Sequence, residues 1–368
     1  MSRLPARLST CLFSCLALLA VSLFSGACTH SSSHDTHTVG STADSAQERP
    51  RIAFSGKTMG VDWHTTIVVV TKTDGVDAAE TLAAIQDALD RVDQRMSTYK
   101  PDSEISRFAS TSAGSAFKVS AETAMVVREA QRISALSHGA FDATVMPLVD
   151  LWGFGPATPS GKAPTDEELQ ATLEICGWEK LTVGDRHTLQ KTVDGLKIDL
   201  SAIAKGYGVD AVCEALHELG WTDYMVEVGG ELRTAGKSPS GGAWRIGVDA
   251  PRDMSNMGQD LQAILQLGTV AVATSGDYRN FRYVDGERVS HTIDPRYGLP
   301  VKHNLASVTV LAPNCMLADA LATACMVMGA EDGMNLIGGI EHVECYMILR
   351  DGDSLTTTQS AGFPELQN

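Results

Sequence analysis

Asp199 to Asp210 reads DLSAIAKGYGVD: the end of an alternating apolar run, a turn of small residues, then a helix start at Lys205 and Gly206. Leu196 to Leu200 alternates as a short strand and Ala202 to Leu219 keeps helical spacing, so the stretch reads as a strand-to-helix junction. The free N–H groups and positive dipole end of such a helix favour a phosphate, and a lysine beside them adds a point charge. The Walker spacing is missing, and a lysine on a helix face is usually just solvated.

Outward from this junction, strands and helices alternate irregularly. Trp63 to Val70 reads as a strand, and Leu82, Ile85, Leu89, Val92 and Met96 share one face of a helix over 78–96. A second helix is expected over about 120–136. A third starts at the capping box Thr165 to Glu168, behind Pro164, and ends at Gly177. Gly155 to Ala163, rich in Gly, Pro and Ser, reads as a surface loop before it. Further strands are expected at Val226 to Leu232, Trp244 to Val248 and Val308 to Leu311, and helical residues from Leu317 to Met328. The mixture is α+β, without the regular βαβ period of a doubly wound sheet and without an internal repeat.

The composition fits a globular body. With 368 residues, 43% hydrophobic and 20% charged, the chain can bury a sizeable core and is no disulfide miniprotein. Its 29 Lys+Arg against 45 Asp+Glu give a net charge of -16, which repels polyanions; no basic cluster offsets it, so no nucleic-acid partner is expected.

Residues 1–27 differ in kind from the rest. Arg3 and Arg7 precede an apolar stretch from Leu12 to Phe24, and the small residues Ser25, Gly26 and Ala27 follow, as in an export signal. Cys28 comes next. The arrangement resembles the lipobox of bacterial lipoproteins, with Ser25 where Leu is usual, and implies a lipidated Cys28; ordinary cleavage nearby is the alternative. Residues 28–49 read as a flexible tether and 50–368 as one catalytic body. Of eight cysteines, Cys176, Cys213, Cys315, Cys325 and Cys345 lie in the body, none at zinc-site spacing, and are read as buried small hydrophobes.

Two further stretches carry candidate chemistry. Asp319 and Thr323 in ADALATA stand four apart, so on a helix a carboxylate and a hydroxyl project together as hard oxygen ligands for Mg²⁺. The strong alternative is structural, with Asp319 capping the helix and Thr323 back-bonding to a carbonyl. Thr274 to Gly298, TSGDYRNFRYVDGERVSHTIDPRYG, sets Ser, Asp, Arg and His among turn-forming glycines, either as a site loop or as a long β-hairpin with an ordinary surface.

Eight blocks in order resemble the ApbE family of flavin transferases. They are TMG (Thr58 to Gly60), RMSTYKPDSEISRF (Arg95 to Phe108), GAFDATVMPLVDLWGFG (Gly139 to Gly155), IDLSAIAKGYGVD (Ile198 to Asp210), VGGEL (Val228 to Leu232), ATSGDYRNF (Ala273 to Phe281), HTIDPRYGLPV (His291 to Val301) and ADALATA (Ala318 to Ala324). Glu227 and Glu231 stand beside the double glycine where Asn and Asp are commoner in that family. The resemblance implies an ApbE-like mixed α/β fold, T-fold-like, and Mg²⁺-dependent transfer of FMN from FAD to a Thr or Ser hydroxyl, releasing AMP. Met59, Tyr99, Ala140, Phe141, Asp142, Asp199, Lys205 and Ile293 would line the FAD pocket. The carbonyls of Ala202 and Ala322 would join Asp319 and Thr323 around Mg²⁺. Partners would be flavin-accepting subunits of membrane electron-transport complexes, met at the periplasmic face of the bacterial inner membrane. An FAD pyrophosphatase and a non-catalytic flavin-binding lipoprotein are the alternatives.

His291 is assigned as general base, because histidine is the side chain whose ordinary pKa suits taking a proton from a hydroxyl at neutral pH. It opens the H-x-I-D-P block, and Asp294 and Asp277 stand next in line.

Overall fold

The computed structural model describes residues 48–70, 77–156, 161–252, 260–278 and 281–367. Cys28, the signal segment and all of the 28–49 segment but its last two residues lie outside these, as do Arg279 and Asn280 of the ATSGDYRNF block. Eight strands form the main sheet: β1 (Arg51–Thr58), β2 (Val61–Val68), β3 (Tyr224–Val228), β4 (Glu231–Ala235), β5 (Val270–Gly276), β6 (Leu305–Ala312), β7 (Glu344–Asp351) and β8 (Ser354–Gln359). Every pairing is antiparallel and each strand lies beside its predecessor in this series. The sheet is therefore a meander, and everything else hangs from its connections.

Three helices cover one face: α1 (Ala78–Met96), α2 (Ala204–Glu218) and α3 (Cys315–Met328). Trp63, Ile67, Val226 and Val228 of the sheet meet Ile85, Leu89, Val209 and Val212 of α1 and α2. Further along, Ala273, Val308 and Val310 meet Leu317 and Leu321 of α3. A hairpin of Trp244–Asp249 and Leu261–Leu267 covers the opposite face, laying Trp244, Ile246 and Leu265 on Val68, Leu232, Val272 and Leu311. Covered on both sides, β6 is buried along its whole length, which is why LASVTVLA reads as an unbroken run of small and apolar residues. Each Val or Leu so buried contributes roughly 1.5–3 kcal/mol. Among the described residues no helix is long and apolar enough to cross a membrane.

The helical periodicities hold well. The expected helix over 78–96 is α1, capped by Asp77. The second spans Ala121–Leu136, with the Ser120 hydroxyl accepting from the Thr123 N–H. The Thr165/Glu168 capping box forms in both directions, although its helix stops at Leu173 and Gly177 instead leads a 3-10 turn. All five body cysteines are buried and free.

Two expected strands are corrected. Leu196 to Leu200 alternates, with Leu196, Ile198 and Leu200 buried, yet joins no sheet. It is an extended segment packed into the helical core, tied by the Asp199 N–H to the Ala143 carbonyl at 2.7 Å. Burial produced the period of two without a ladder. Val226 to Leu232 is not one strand but the β3–β4 hairpin, because Gly229 (φ 62) and Gly230 (φ 105) turn the chain through the left-handed region. The helix expected from Ala202 begins at Ala204, after a turn through Ser201 to Ile203. The Thr274 to Gly298 stretch does contain a hairpin, Phe281–Val284 against Glu287–Ser290, turned at Asp285-Gly286.

The body is fastened from its first described residues. Arg49, read as part of the tether, pairs with Asp223 at 2.6 Å, donates to the Lys237 carbonyl at 2.7 Å, and donates its backbone N–H to the Pro239 carbonyl. At the far end of β1 the chain reverses at Met59 (φ 47) and Gly60 (φ 77).

The contact that shapes the site is between α2 and α3. A Cβ on Gly206 would lie 2.2 Å from the Cys315 carbonyl oxygen and 2.8 Å from Asp319 Cβ, so only glycine lets the two helices meet. One turn on, Asp210 caps α3 from outside, accepting from the N–H groups of Cys315 (3.0 Å) and Met316 (2.9 Å). We expect Gly206→Ala to destabilise the protein by at least about 1–3 kcal/mol in a denaturant melt, since backbone must shift. Gly268→Ala, at an exposed turn where an added Cβ meets nothing within 4 Å, should stay within about 0.5 kcal/mol of the parent.

Candidate active site

A cavity of about 920 Å³ opens where the β1–β2 turn, the end of α1, the first turn of α2, the end of β5 and one face of α3 converge. Met59, Tyr99, Asp199, Ala202, Lys205, His291, Ile293, Asp319 and Thr323 all line it, so the structure gathers residues spread over 265 positions. A smaller recess of about 50 Å³ shares Asp199, Ala202, Ile293 and Thr323 with it and is walled by Ala140, Phe141 and Asp142. Ala322 lies fully buried in α3 beside Thr323. Tyr99 stands on the rim, 72% exposed. Met59 reaches across to α2, its Cε 3.1 Å from where Gly208 would carry a Cβ.

At the cavity floor lies a buried charge cluster. The Gly206 N–H donates to Asp319 Oδ2 at 3.0 Å, Lys205 Nζ stands 3.9 Å from Asp319 Oδ1 and 3.1 Å from Glu231, and it donates to the Ser201 carbonyl at 3.0 Å. Burial pushes both carboxyls up and would push Lys205 down. Asp319 and Glu231 together overcome that for Lys205 and hold its ammonium above the usual lysine value. The other Glu231 oxygen is buried without a hydrogen-bond partner.

One turn along α3 the Thr323 hydroxyl lies 3.3 Å from Ser275 Oγ. Asp319 is mid-helix, so it does not cap its own helix, which Asn314 and Asp210 do; through the Gly206 N–H it caps the first turn of α2 instead. Among the described residues no three His, Cys, Asp or Glu side chains gather as a metal centre. A cation here would draw on one carboxylate, the Thr323 hydroxyl and backbone carbonyls. That all-oxygen set, at the wall of an open cavity, fits a hard ion that keeps water and phosphate as further ligands.

Several carboxylates are occupied by the fold. Asp142 accepts from the Thr144 N–H (2.7 Å), the Thr144 hydroxyl (2.8 Å) and the Trp178 N–H (2.9 Å), against burial that pushes its carboxyl up. It shapes the recess wall. Asp199, also pushed up by burial, accepts from the Ser201 N–H at 2.8 Å and so holds the turn before α2. Asp294 is clasped by Arg296 at 2.9 and 2.7 Å, and Asp277 by Arg350 at 2.7 and 2.8 Å. His291 lines the cavity with its ring edge-on to Phe154, centroids 6.4 Å apart.

Sequence reading singled out neither Asp210 nor Ser275, and met Glu231 only as a departure from a motif. The signal for Glu231 was an acid directly after a Gly-Gly turn. Asp210 closes the quoted junction, but nothing local says that it caps a helix 105 residues away.

The sequence profile of the ApbE family matches residues 59–347. The chain is 43% identical over 319 residues to the FAD:protein FMN transferase of Vibrio cholerae, covering 86% of this chain and 93% of that protein. It is 39% identical over 316 residues to that of Escherichia coli, covering 84% and 87%. Among solved structures, the flavin transferase ApbE from Vibrio cholerae superposes with a TM-score of 0.78 at 42% identity, over 85% of this chain and 98% of that one. The apo flavinyl transferase ApbE of Pseudomonas stutzeri gives 0.76 at 36% identity, over 85% and 96%. The match runs through the cavity-lining blocks and the sheet that carries them, and the chain belongs to the ApbE family.

Proposed function

We propose that this protein cleaves FAD at its diphosphate and transfers FMN to a threonine or serine hydroxyl of a partner protein, releasing AMP. The observation that carries the reading is the convergence of Lys205, Asp319, Thr323 and His291 on one cavity. In the reaction the acceptor oxygen bonds to the FMN phosphorus, the bond from that phosphorus to the bridging oxygen breaks, and AMP leaves with that oxygen. His291 takes the hydroxyl proton. Lys205 supplies a fixed positive charge for the phosphate oxygens, and the first turn of α2 adds its dipole.

Asp319, Thr323 and the carbonyls of Ala202 and Ala322 would hold Mg²⁺, which when bound neutralises charge on the diphosphate. Met59, Tyr99, Ile293 and the Ala140-Phe141-Asp142 wall would enclose the flavin nucleotide. The acceptors would be flavin-carrying subunits of membrane electron-transport complexes. A lipid on Cys28 would hold the enzyme at the periplasmic face of the inner membrane, confining it with those acceptors and raising their effective concentration.

Incubation with FAD, Mg²⁺ and the apo form of such a subunit tests the reading: FMN should appear covalently on the subunit. Free FMN with AMP would mean a pyrophosphatase, and unchanged FAD a binding protein. Asp319→Ala should abolish transfer at sub-millimolar Mg²⁺ while the fold persists, weakened by about 1–3 kcal/mol for the orphaned Gly206 N–H. Asp319→Asn, which can still accept from Gly206, should remain folded and equally inactive. Full activity in either would remove Asp319 from the metal site. His291→Ala should bind FAD nearly normally and transfer FMN at least about a hundredfold more slowly, because general-base assistance is typically worth about 10² to 10⁴ in rate. Mass spectrometry of the mature N-terminus should find an acylated Cys28, and Cys28→Ala should release a soluble, active protein.

A further inference from the structure

We propose that Asp277 is a positioning residue for transfer, acting through His291; the inference rests on His291 being the base. Asp277 directly follows β5, is 8% exposed, and sits between two cavity-lining residues, Gly276 and Tyr278. It joins four pieces of the fold. Its N–H donates to the Ala306 carbonyl on β6 at 3.2 Å, and its carboxylate takes two parallel bonds from Arg350 on β7. Its own carbonyl accepts from Arg288 Nη2 at 2.8 Å, while Arg288 Nη1 stands 3.5 Å from its carboxylate.

Arg288 belongs to the Phe281–Val284/Glu287–Ser290 hairpin, which forms a sheet of its own apart from the main one. The chain leaves that hairpin at Ser290 and the next residue is His291. The Asp277–Arg288 contacts thus tie to the main sheet the segment that delivers the base. A second hold acts on the ring itself: Phe154 meets His291 edge-on, and Arg282 of the same hairpin lies over the Phe154 ring at 5.4 Å.

A half-buried ion-pair cluster adds little net stability over an apolar replacement. What it adds is one fixed geometry, and a base has to lie within hydrogen-bond reach of the proton that it removes. Misplacement by about 1 Å can cost on the order of a hundredfold in rate.

The test is a double-mutant cycle of Asp277→Asn with His291→Ala. The readouts are FAD affinity and single-turnover flavinylation of a recombinant apo electron-transport subunit that carries FMN on threonine. Asp277→Asn should slow transfer by roughly ten- to a hundredfold with FAD affinity unchanged, and should cost nothing further once His291 is Ala. Equal loss in both backgrounds, or a fall in FAD affinity matching the loss of rate, would overturn the proposal. A wild-type rate in His291→Ala alone would overturn the base assignment instead, and is read before Asp277 is touched. Arg288→Gln enters the same cycle, also should Asp277→Asn fail to fold, because it leaves the Asp277–Arg350 pair in place and removes the guanidinium hold on the Asp277 carbonyl that Asp277→Asn retains.

Discussion

The site exists because two helix backbones touch at Gly206. Any side chain there would strike the Cys315 carbonyl, so the approach of α2 to α3 is decided by the absence of one carbon. From that contact come the Gly206–Asp319 hydrogen bond, the position of Lys205 between two carboxylates, and the reach of Asp210 to the first turn of α3. Each bond spans more than 100 residues of chain or joins groups brought near by one that does. The polar floor and the helix packing are therefore one structure.

That floor sets one lysine between two carboxyls, and burial pushes both carboxyls up. Burial alone would neutralise each, and mutual attraction keeps the lysine charged. A protein whose net charge is -16 thus keeps a cation at the floor of its main cavity. The surrounding acidity discourages longer polyanions from approaching the same lysine.

Much of this was legible in the chain, and the reasons are particular. α1 could be bounded to the residue because its apolar face is regular and Asp77 sits at its start. The Thr165/Glu168 box formed because both of its partners are local. Leu196 to Leu200 misled, since alternation reports which side chains are buried and says nothing of whether a neighbouring strand is present. The β3–β4 reversal was overlooked inside an apolar run, although Gly229-Gly230 marked it. Asp319 and Thr323 could be paired by helical spacing, whereas the Asp277–Arg350 clasp could not, because 73 residues separate partners that no pattern connects.

The fastening of Arg49 has a mechanical side. A pull on the chain from before residue 48 arrives at the Asp223 pair and the Lys237 and Pro239 carbonyls, well before it can reach the β1–β2 ladder. If those contacts yield, the load runs along β1 and is shared in shear by its antiparallel bonds to β2. Met59, at the other end of eight strand residues, stands about 25 Å from the point of attack. Load entering from before residue 48 is thus met a full strand's length from Met59 and the cavity that it lines.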